Sequence, residues 1–159
     1  MSVLMSIQED DFDIGVEHLR LKSAGNGVGA IVTFTGLVRE FESEPKSADF
    51  QRNLSSLTLE YYPEMTEKLL AEIIKQSFDR WPLIAVSVVH RVGSLKPNDQ
   101  IVFVGVASEH RLEAFQAAQF LMDYLKTRAT FWKKIEADGQ SHWAEAKVSD
   151  NVAAAKWEG

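Results

Sequence analysis

The sequence predicts a single α+β domain with a mixed or antiparallel sheet and two main amphipathic helices. Stretches with the period-two alternation of a strand and stretches with apolar residues every three or four positions both occur along the chain. They do not alternate one for one, as a chain of parallel βαβ units would require. A length of 159 residues fits one hydrophobic core, so we expect one domain over residues 1–159.

The first strand pattern covers residues 28–40, where apolar side chains occupy every second position. Arg39 lies at the end of this strand pattern, directly before the segment 40–53, which is polar and charged and contains one proline. We expect this segment to be a mobile loop; it either closes over a ligand or is a tolerated surface loop. Residues 54–62 alternate again and predict the returning strand.

The first helix pattern begins at Pro63 and continues to Trp81. Its apolar residues recur at three- and four-residue spacing, and proline is favoured in the first turn of a helix. Two β-rich runs follow at 83–93 and 100–109, separated by the turn-forming letters SLKPND. We expect these two runs to be paired central strands.

The second helix pattern continues to Ala129, and Ser108 has the right chemistry to be its N-cap. A short strand is predicted around residues 142–148. The remaining tail, about residues 150–159, predicts at most a short helix.

Composition excludes several classes of function. The formal charge is −6, which argues against a general nucleic-acid binder. There is no cysteine, so disulfides, thiolate metal sites and thiol nucleophiles are excluded. We find no signal peptide, no run of eighteen apolar residues, no metal-ligand spacing and no phosphate-binding glycine motif, so we expect a soluble cytoplasmic protein without a cofactor or a membrane partner.

Positive charge is concentrated in YLKTRATFWKK, residues 124–134, which holds four cations and no acid. If the second helix continued unbroken, Lys126 and Lys133 would be two turns apart on one face, about 10 Å from each other, and could span one anionic ligand. The alternative is a solvated helix end, stabilised by the helix dipole and by Asp123. Phe131 and Trp132 either stack on a planar ligand or anchor the core.

Two histidine–arginine pairs also lie near the predicted ends of elements. His110 and Arg111 are at the start of the second helix, where free backbone N–H groups favour a phosphate; alternatively His110 caps or packs and Arg111 pairs with a surface carboxylate. His90 and Arg91 follow an apolar run, which favours a structural role. His142, beside a tryptophan, is a weaker candidate.

Six collinear segments resemble one family, the catalytic or large subunit of molybdopterin synthase, the MoaE family. The resemblance covers about residues 28–150. The segments are GAIVTFTGLVR (29–39), LEYYPEMTEK (59–68), RWPL (80–83), HRVGSLKPND (90–99), VFVGVASEHR (102–111) and FLMDYLKTRATFWKK (120–134).

The resemblance implies an α/β-hammerhead-type domain and a homodimer that binds one small ubiquitin-like sulfur-carrier subunit per protomer, a heterotetramer overall. It implies a sulfurtransferase that moves sulfur from the carrier's C-terminal Gly-Gly thiocarboxylate to cyclic pyranopterin monophosphate, forming the dithiolene of molybdopterin. Such a reaction suits a chain without a thiol, because the partner brings the sulfur. The residues matched to the family's site are Lys126 and Lys133 as catalytic, and Arg39, His110, Arg111 and Lys147 as substrate-binding.

Two positions depart from relatives of this family. Thr130 stands where they have proline, so the helix is expected to end near Ala129 if the backbone is conserved, and the two-turn geometry for Lys133 would then fail. Lys147 stands where some relatives have arginine, which keeps the charge but loses the two-pronged contact. The cation pattern by itself also permits a non-catalytic module that docks acidic C-terminal tails, or an enzyme acting on another phosphate.

Overall fold

The computed structural model describes residues 1–43, 51–144 and 148–159, which form two sheets and four helices. The α+β class with a mixed sheet is confirmed. The strands are β1 (Ser2–Gln8), β2 (Ala30–Leu37), β3 (Phe41–Ser43), β4 (Gln51–Tyr61), β5 (Leu83–Arg91), β6 (Gly93–Leu95), β7 (Gln100–Ser108), β8 (Phe131–Ala137) and β9 (Gln140–Trp143). The helices are α1 (Ile14–Lys22), α2 (Pro63–Arg80), α3 (Arg111–Thr127) and α4 (Val148–Ala155).

The first sheet has the strand order β1-β5-β7-β2. β5 pairs with β1 in parallel and with β7 antiparallel, and β7 pairs with β2 antiparallel. The two central strands are buried on both faces, which explains why their sequences are continuous apolar runs rather than alternating ones.

Helices cover both faces of this sheet. Apolar residues of α2 and α3 pack on one face against alternate residues of β5 and β7, such as Val88 and Val104. On the other face Leu21 of α1 packs against Phe103. A Cβ at Gly105 would clash with the Leu21 side chain and the Phe103 ring, so glycine at this position lets α1 pack closely on the sheet. Fully burying large side chains of this kind stabilises the fold by about 1.5–3 kcal/mol each.

The second sheet has the order β3-β4-β8-β9, with β6 paired on β4. It has its own smaller core, which includes Leu57 and Leu59 of β4 and Ile135 of β8. β4 and β8 are antiparallel and pair Tyr61 with Phe131. The two sheets meet where β5 of the first sheet is followed directly by β6, which pairs with β4 of the second sheet.

Several expected boundaries differ from the observed ones. Ser108 is not the N-cap of α3: it ends β7 and donates its hydroxyl to the carbonyl of His110, which is the N-cap residue. The segment expected as a loop at 40–53 contains β3 and the start of β4, while residues 44–50 lie outside the described part. The strand expected at 142–148 is β9, which ends at Trp143, five residues earlier than expected; residues 145–147 are not described.

Two elements near the start of the chain were not predicted. β1 is a parallel edge strand, and α1 begins after Asp13, whose carboxylate accepts a hydrogen bond from the Val16 N–H at 2.9 Å. Within the described residues, no helix is both long enough and apolar enough to span a membrane.

Candidate functional site

Lys126 lies in the last turn of α3, and its side chain is exposed. The helix ends just after it, where the Arg128 N–H bonds to the Tyr124 carbonyl at 2.7 Å. A lysine at this position is favoured by the negative end of the helix dipole. The expected end near Ala129 is therefore close to the observed one, at Thr127.

The chain reverses direction over residues 128–130 and starts β8. Thr66, fully buried in the first turn of α2, donates its hydroxyl to the Thr130 carbonyl at 3.0 Å and also lies 3.0 Å from the Thr130 hydroxyl. The Phe131 N–H bonds to the Ala129 carbonyl at 3.0 Å. These contacts fix where β8 leaves α3.

Lys133 lies on β8, opposite Leu59 of β4. The expectation of one continuous helix bearing Lys126 and Lys133 is thus wrong in geometry. Alternate residues of a strand share a face, so Lys133 lies on the same side as Phe131 and the buried Ile135. It is half-buried at the margin of the second core.

His90, near the end of β5, connects the two lysines. Its ring is stacked on Phe131 with the centroids 3.8 Å apart and the planes 11° from parallel. Its Nδ1 donates to the Arg91 carbonyl at 2.8 Å. Burial lowers the pKa of His90 to about 4; the bond to the Arg91 carbonyl raises it, and the charges of Lys126 and Lys133 lower it. Both ammonium groups therefore act on one buried, uncharged imidazole.

The other cations of the 124–134 stretch face elsewhere. Lys134 is on the opposite side of β8 from Lys133 and is paired in register with Trp143. The Arg128 guanidinium lies 4.0 Å from the Tyr124 ring centroid and 2.9 Å from a Glu158 carboxylate oxygen. The fold thus divides the cluster, and only two of its four cations act on His90.

Asp123 does not pair with Lys126, as the alternative interpretation supposed. Its carboxylate accepts a hydrogen bond from the Trp157 indole at 2.7 Å and lies 3.3 Å from the Lys156 ammonium nitrogen. The C-terminal segment after α4 therefore pairs with Asp123, the acid nearest to Lys126 in the sequence. The sequence of this segment did not indicate that role.

Arg39 is exposed just beyond β2. The backbone of Val38 bonds to both Asn98 and Asp99, at 2.8 and 2.9 Å, so Arg39 is held beside the turn between β6 and β7. Val102 of β7 pairs with Gly36 on one side and with His90 on the other, so β2 ends at the same edge of the sheet as His90. Arg39 and the lysines share this edge.

His110 and Arg111 lie at the opposite edge. Ser108, two residues before them, pairs with Ala30 and Leu83 at the far end of the sheet. Fifteen residues of α3 separate Arg111 from Lys126, which corresponds to about 22 Å along the axis at 1.5 Å per residue. The side chains of His110 and Arg111 are both exposed. Within one chain these two groups of cations are not brought together.

Of the remaining predicted residues, Lys147 lies outside the described part of the chain. Trp132 is 41% exposed and meets the Tyr62 ring edge-on at 5.3 Å, so it is not a core anchor. Phe131 is half-buried against His90. Sequence reasoning assigned His90 a structural role, because nothing near it in the sequence reveals a stacking partner 41 positions away.

The assembled groups are suited to binding an anion. Lys126, Lys133 and Arg39 place three cationic residues at one edge, beside a buried ring that adds no charge at neutral pH. Charged donors hold carboxylates, thiocarboxylates and phosphates more strongly than neutral donors do. Among the residues that the structure describes, no group of His, Asp or Glu could hold a metal ion.

Comparison with known proteins identifies relatives over nearly the whole chain. A family model described as MoaE protein matches residues 7–128. The molybdopterin synthase catalytic subunit of Escherichia coli (strain K12) is 49% identical over 146 residues, which are 92% of each chain. The solved molybdopterin biosynthesis MoaE protein from Burkholderia ambifaria MC40-6 is 40% identical, covers 99% of both chains and has a TM-score of 0.81.

A more distant structure, molybdopterin synthase from Staphylococcus aureus, is 31% identical and has a TM-score of 0.74 over 87% of this chain and 95% of that one. These matches agree in fold and in coverage. The family model alone spans most of the chain, from β1 to the end of α3. The chain belongs to the MoaE protein family.

Proposed function

We propose that this chain transfers sulfur as the catalytic subunit of a molybdopterin synthase. The sulfur comes from the C-terminal thiocarboxylate of a small ubiquitin-like carrier and goes to cyclic pyranopterin monophosphate, where it forms the dithiolene of molybdopterin. The observation that carries this proposal is the convergence of Lys126 and Lys133 on one buried imidazole, in a chain with no thiol of its own. The Escherichia coli relative named above is a molybdopterin synthase catalytic subunit.

The two lysines stabilise the anions that this reaction brings together. The carrier tail and the phosphate are both negative, and their mutual repulsion must be offset where sulfur is transferred. Fixed cations at that place lower the energy of the transition state and need no reorganisation during the reaction. Lys126 is nearest to the transfer, either as a proton carrier or as a fixed charge. Lys126→Arg separates these roles, because guanidinium keeps the charge but does not readily exchange a proton.

A second copy of the chain supplies His110 and Arg111. The outward face of α3 carries two large apolar side chains near its start, Leu112 and Phe115, each 61% exposed, and Lys126 ends the same face. Exposed apolar faces of this kind are typical of interfaces. If two α3 helices pack antiparallel across a twofold axis, the start of one lies beside the end of the other. Arg111 of one copy then approaches Lys126 of its neighbour, which removes the 22 Å separation.

The complete enzyme in this proposal is a heterotetramer of two such chains and two carriers, located in the cytoplasm. Each site then combines Lys126, Lys133 and Arg39 of one copy with His110 and Arg111 of the other. Lys147 belongs to the substrate-binding set by its resemblance to the family motif.

A single-turnover assay tests the function. Purified chain is mixed with thiocarboxylated carrier and cyclic pyranopterin monophosphate, and dithiolene product is followed. We expect product from the wild type and a rate about 10²–10⁴ lower for Lys126→Ala and Lys133→Ala. Lys134→Ala is the matched control, since it removes a neighbouring cation from the other face of β8; its rate should stay within about twofold, as surface changes usually do.

Two outcomes would contradict the proposal. If folded wild-type chain binds the carrier but makes no product, the chain is a module that docks acidic tails. If Lys134→Ala is as slow as Lys133→Ala, general positive charge rather than a built site supports the reaction.

A further inference from the structure

We propose that His90 is a positioning residue for Lys133: its ring, stacked on Phe131, fixes the start of the strand that carries this lysine. The role in catalysis rests on the function proposed above. No comparison assigns His90, and the sequence pattern favoured a purely structural role for it. The proposal depends on contacts within the described residues of β5, β8 and the chain reversal before β8.

The stack acts on Lys133 through the geometry of a strand. Phe131 is the first residue of β8, and Lys133 is the next residue on the same side, about 6.6 Å further along at 3.3 Å per residue. The parallel ring planes and the 3.8 Å separation leave no room for the start of β8 to approach β5 more closely. A shift of Phe131 therefore carries Lys133 with it.

The His90 ring is also held by the backbone of its own strand. Its Nδ1–H points at the Arg91 carbonyl, which leaves Nε2 without a proton in the neutral ring. The Arg91 guanidinium donates to the Glu9 carbonyl at 3.0 and 3.1 Å and to the Gln100 carbonyl at 3.0 Å. The residue next to His90, Arg91, is thus hydrogen-bonded to two neighbouring segments of the first sheet, and this holds the His90 ring in its stack.

Histidine also fits this place chemically. The ring is 9% exposed, and burial lowers its pKa to about 4, so it is uncharged at neutral pH. A charged ring would repel the two lysines that act on it. The neutral imidazole supplies a flat surface without this repulsion.

The test compares three variants of β5 in the complete enzyme with its carrier. His90→Leu removes the stack, and His90→Phe keeps an aromatic face. Val88→Ala removes apolar volume two residues away on the same face of β5, so it controls for a general loss of packing. We expect kcat of His90→Leu to fall about 10- to 100-fold with KM nearly unchanged, because small misplacements of a catalytic group have effects of that size. His90→Phe should recover most of the rate, and Val88→Ala should retain it at equal folded fraction.

Phe131→Leu tests whether His90 acts through the Phe131 ring. If His90 acts through this ring, the double variant His90→Leu/Phe131→Leu should be no slower than either single variant. Multiplying effects, or a His90→Leu rate within twofold of wild type, would overturn the proposal.

A second measurement does not depend on activity. In a chain labelled with ¹³C at lysine, the NMR signal of the Lys133 side chain is assigned by its loss in Lys133→Ala. This signal should shift in His90→Leu and keep its wild-type position in Val88→Ala. A signal that stays in place in His90→Leu overturns the positioning role even if sulfur transfer is shown. If the signal moves in His90→Leu while the wild-type chain transfers no sulfur, the positioning role is supported and the proposed function fails.

Discussion

The two ends of α3 carry the cations of the candidate site, and they are built differently. At the C-terminal end, Lys126 is followed by a chain reversal held by Thr66, and its charge acts on a buried His90. At the N-terminal end, His110 and Arg111 are exposed, and the helix has no side-chain cap. In the proposed function, one half of the site is therefore complete within the chain, whereas the other half forms only beside a second copy.

The largest expected effect comes from mixing two inactive variants. Lys126→Ala and Arg111→Ala chains are each expected to lose most activity. If Arg111 serves the neighbouring copy, a mixed dimer contains one site with both residues intact, and statistical mixing should restore about a quarter of wild-type activity. The measurement is the single-turnover rate after the two chains are unfolded and refolded together.

The control is a mixture of Lys126→Ala with Lys133→Ala. These two residues lie at the same end of α3, and a site that uses both from one chain should gain nothing from mixing. Recovery in this control, or none in the Arg111 mixture, would mean that the assignment of the two ends to different copies is wrong.

Next in size is the dependence of stability on pH at the C-terminal end. The pKa of His90 is about 4 in the folded chain and 6.5 when exposed, so the unfolded chain binds more protons between these values. Stability is therefore lost as pH falls from about 6.5 to about 4. At 1.36 kcal/mol per pKa unit the loss is about 3 kcal/mol. Urea unfolding from pH 7 to pH 4 should show this loss in the wild type and a smaller one in His90→Phe.

Val88→Ala controls for a general loss of packing, because removing apolar volume lowers stability by a similar amount at every pH. If His90→Phe loses as much stability on acidification as the wild type, the ring is not the group that titrates. The charged groups that act on the ring are Lys126 of α3 and Lys133 of β8.

Local sequence patterns predicted most of the fold but only part of the site. Helices α2 and α3 and strands β5 and β7 follow from apolar spacing, because such spacing reflects which face of an element is buried. β1 was not predicted, since its exposed apolar residues give no clear alternation. The pairing of β4 with β8 is a contact between distant parts of the sequence, so residue spacing could not show that Lys133 lies on a strand.

The role of His90 shows the same limit. Its stacking partner is 41 residues away, and the burial that keeps it neutral arises only after both sheets have formed. Resemblance to a family assigned Lys126, Arg39 and Arg111 to one site, an assignment that stays a prediction, and it did not separate the two ends of α3. That separation needs the length of the helix in three dimensions.

A smaller effect is expected from Thr66→Val, which removes the hydroxyl that holds the chain reversal. The Thr130 carbonyl loses its partner, and the expected cost is about 1–3 kcal/mol in the free energy of unfolding. Thr66→Ser is the control, because it keeps the hydroxyl and loses one methyl group. Equal stability of the valine and serine variants would show that the hydrogen bond contributes nothing to this end of α3.

The smallest effect should come from Thr130→Pro, which introduces the residue that the resemblance to the family predicts at this position. The Phe131 N–H bonds to the Ala129 carbonyl two residues back, so Thr130 is the central residue of a tight turn whose usual φ, near −75°, is close to that of proline. Proline at a compatible position stabilises by about 0.4–1 kcal/mol through the unfolded chain. The lost hydroxyl contact with Thr66 offsets part of this gain.

Thr130→Ala loses the same hydroxyl without adding a ring, so the proline variant should be more stable than the alanine variant by about 0.4–1 kcal/mol. Sulfur transfer by both variants should stay within about twofold of wild type, because the Thr66 bond to the backbone carbonyl remains. A proline variant less stable than the alanine variant would mean that Ala129 has a backbone conformation that a following proline excludes. The chain reversal at this end of α3 would then require a residue other than proline at position 130.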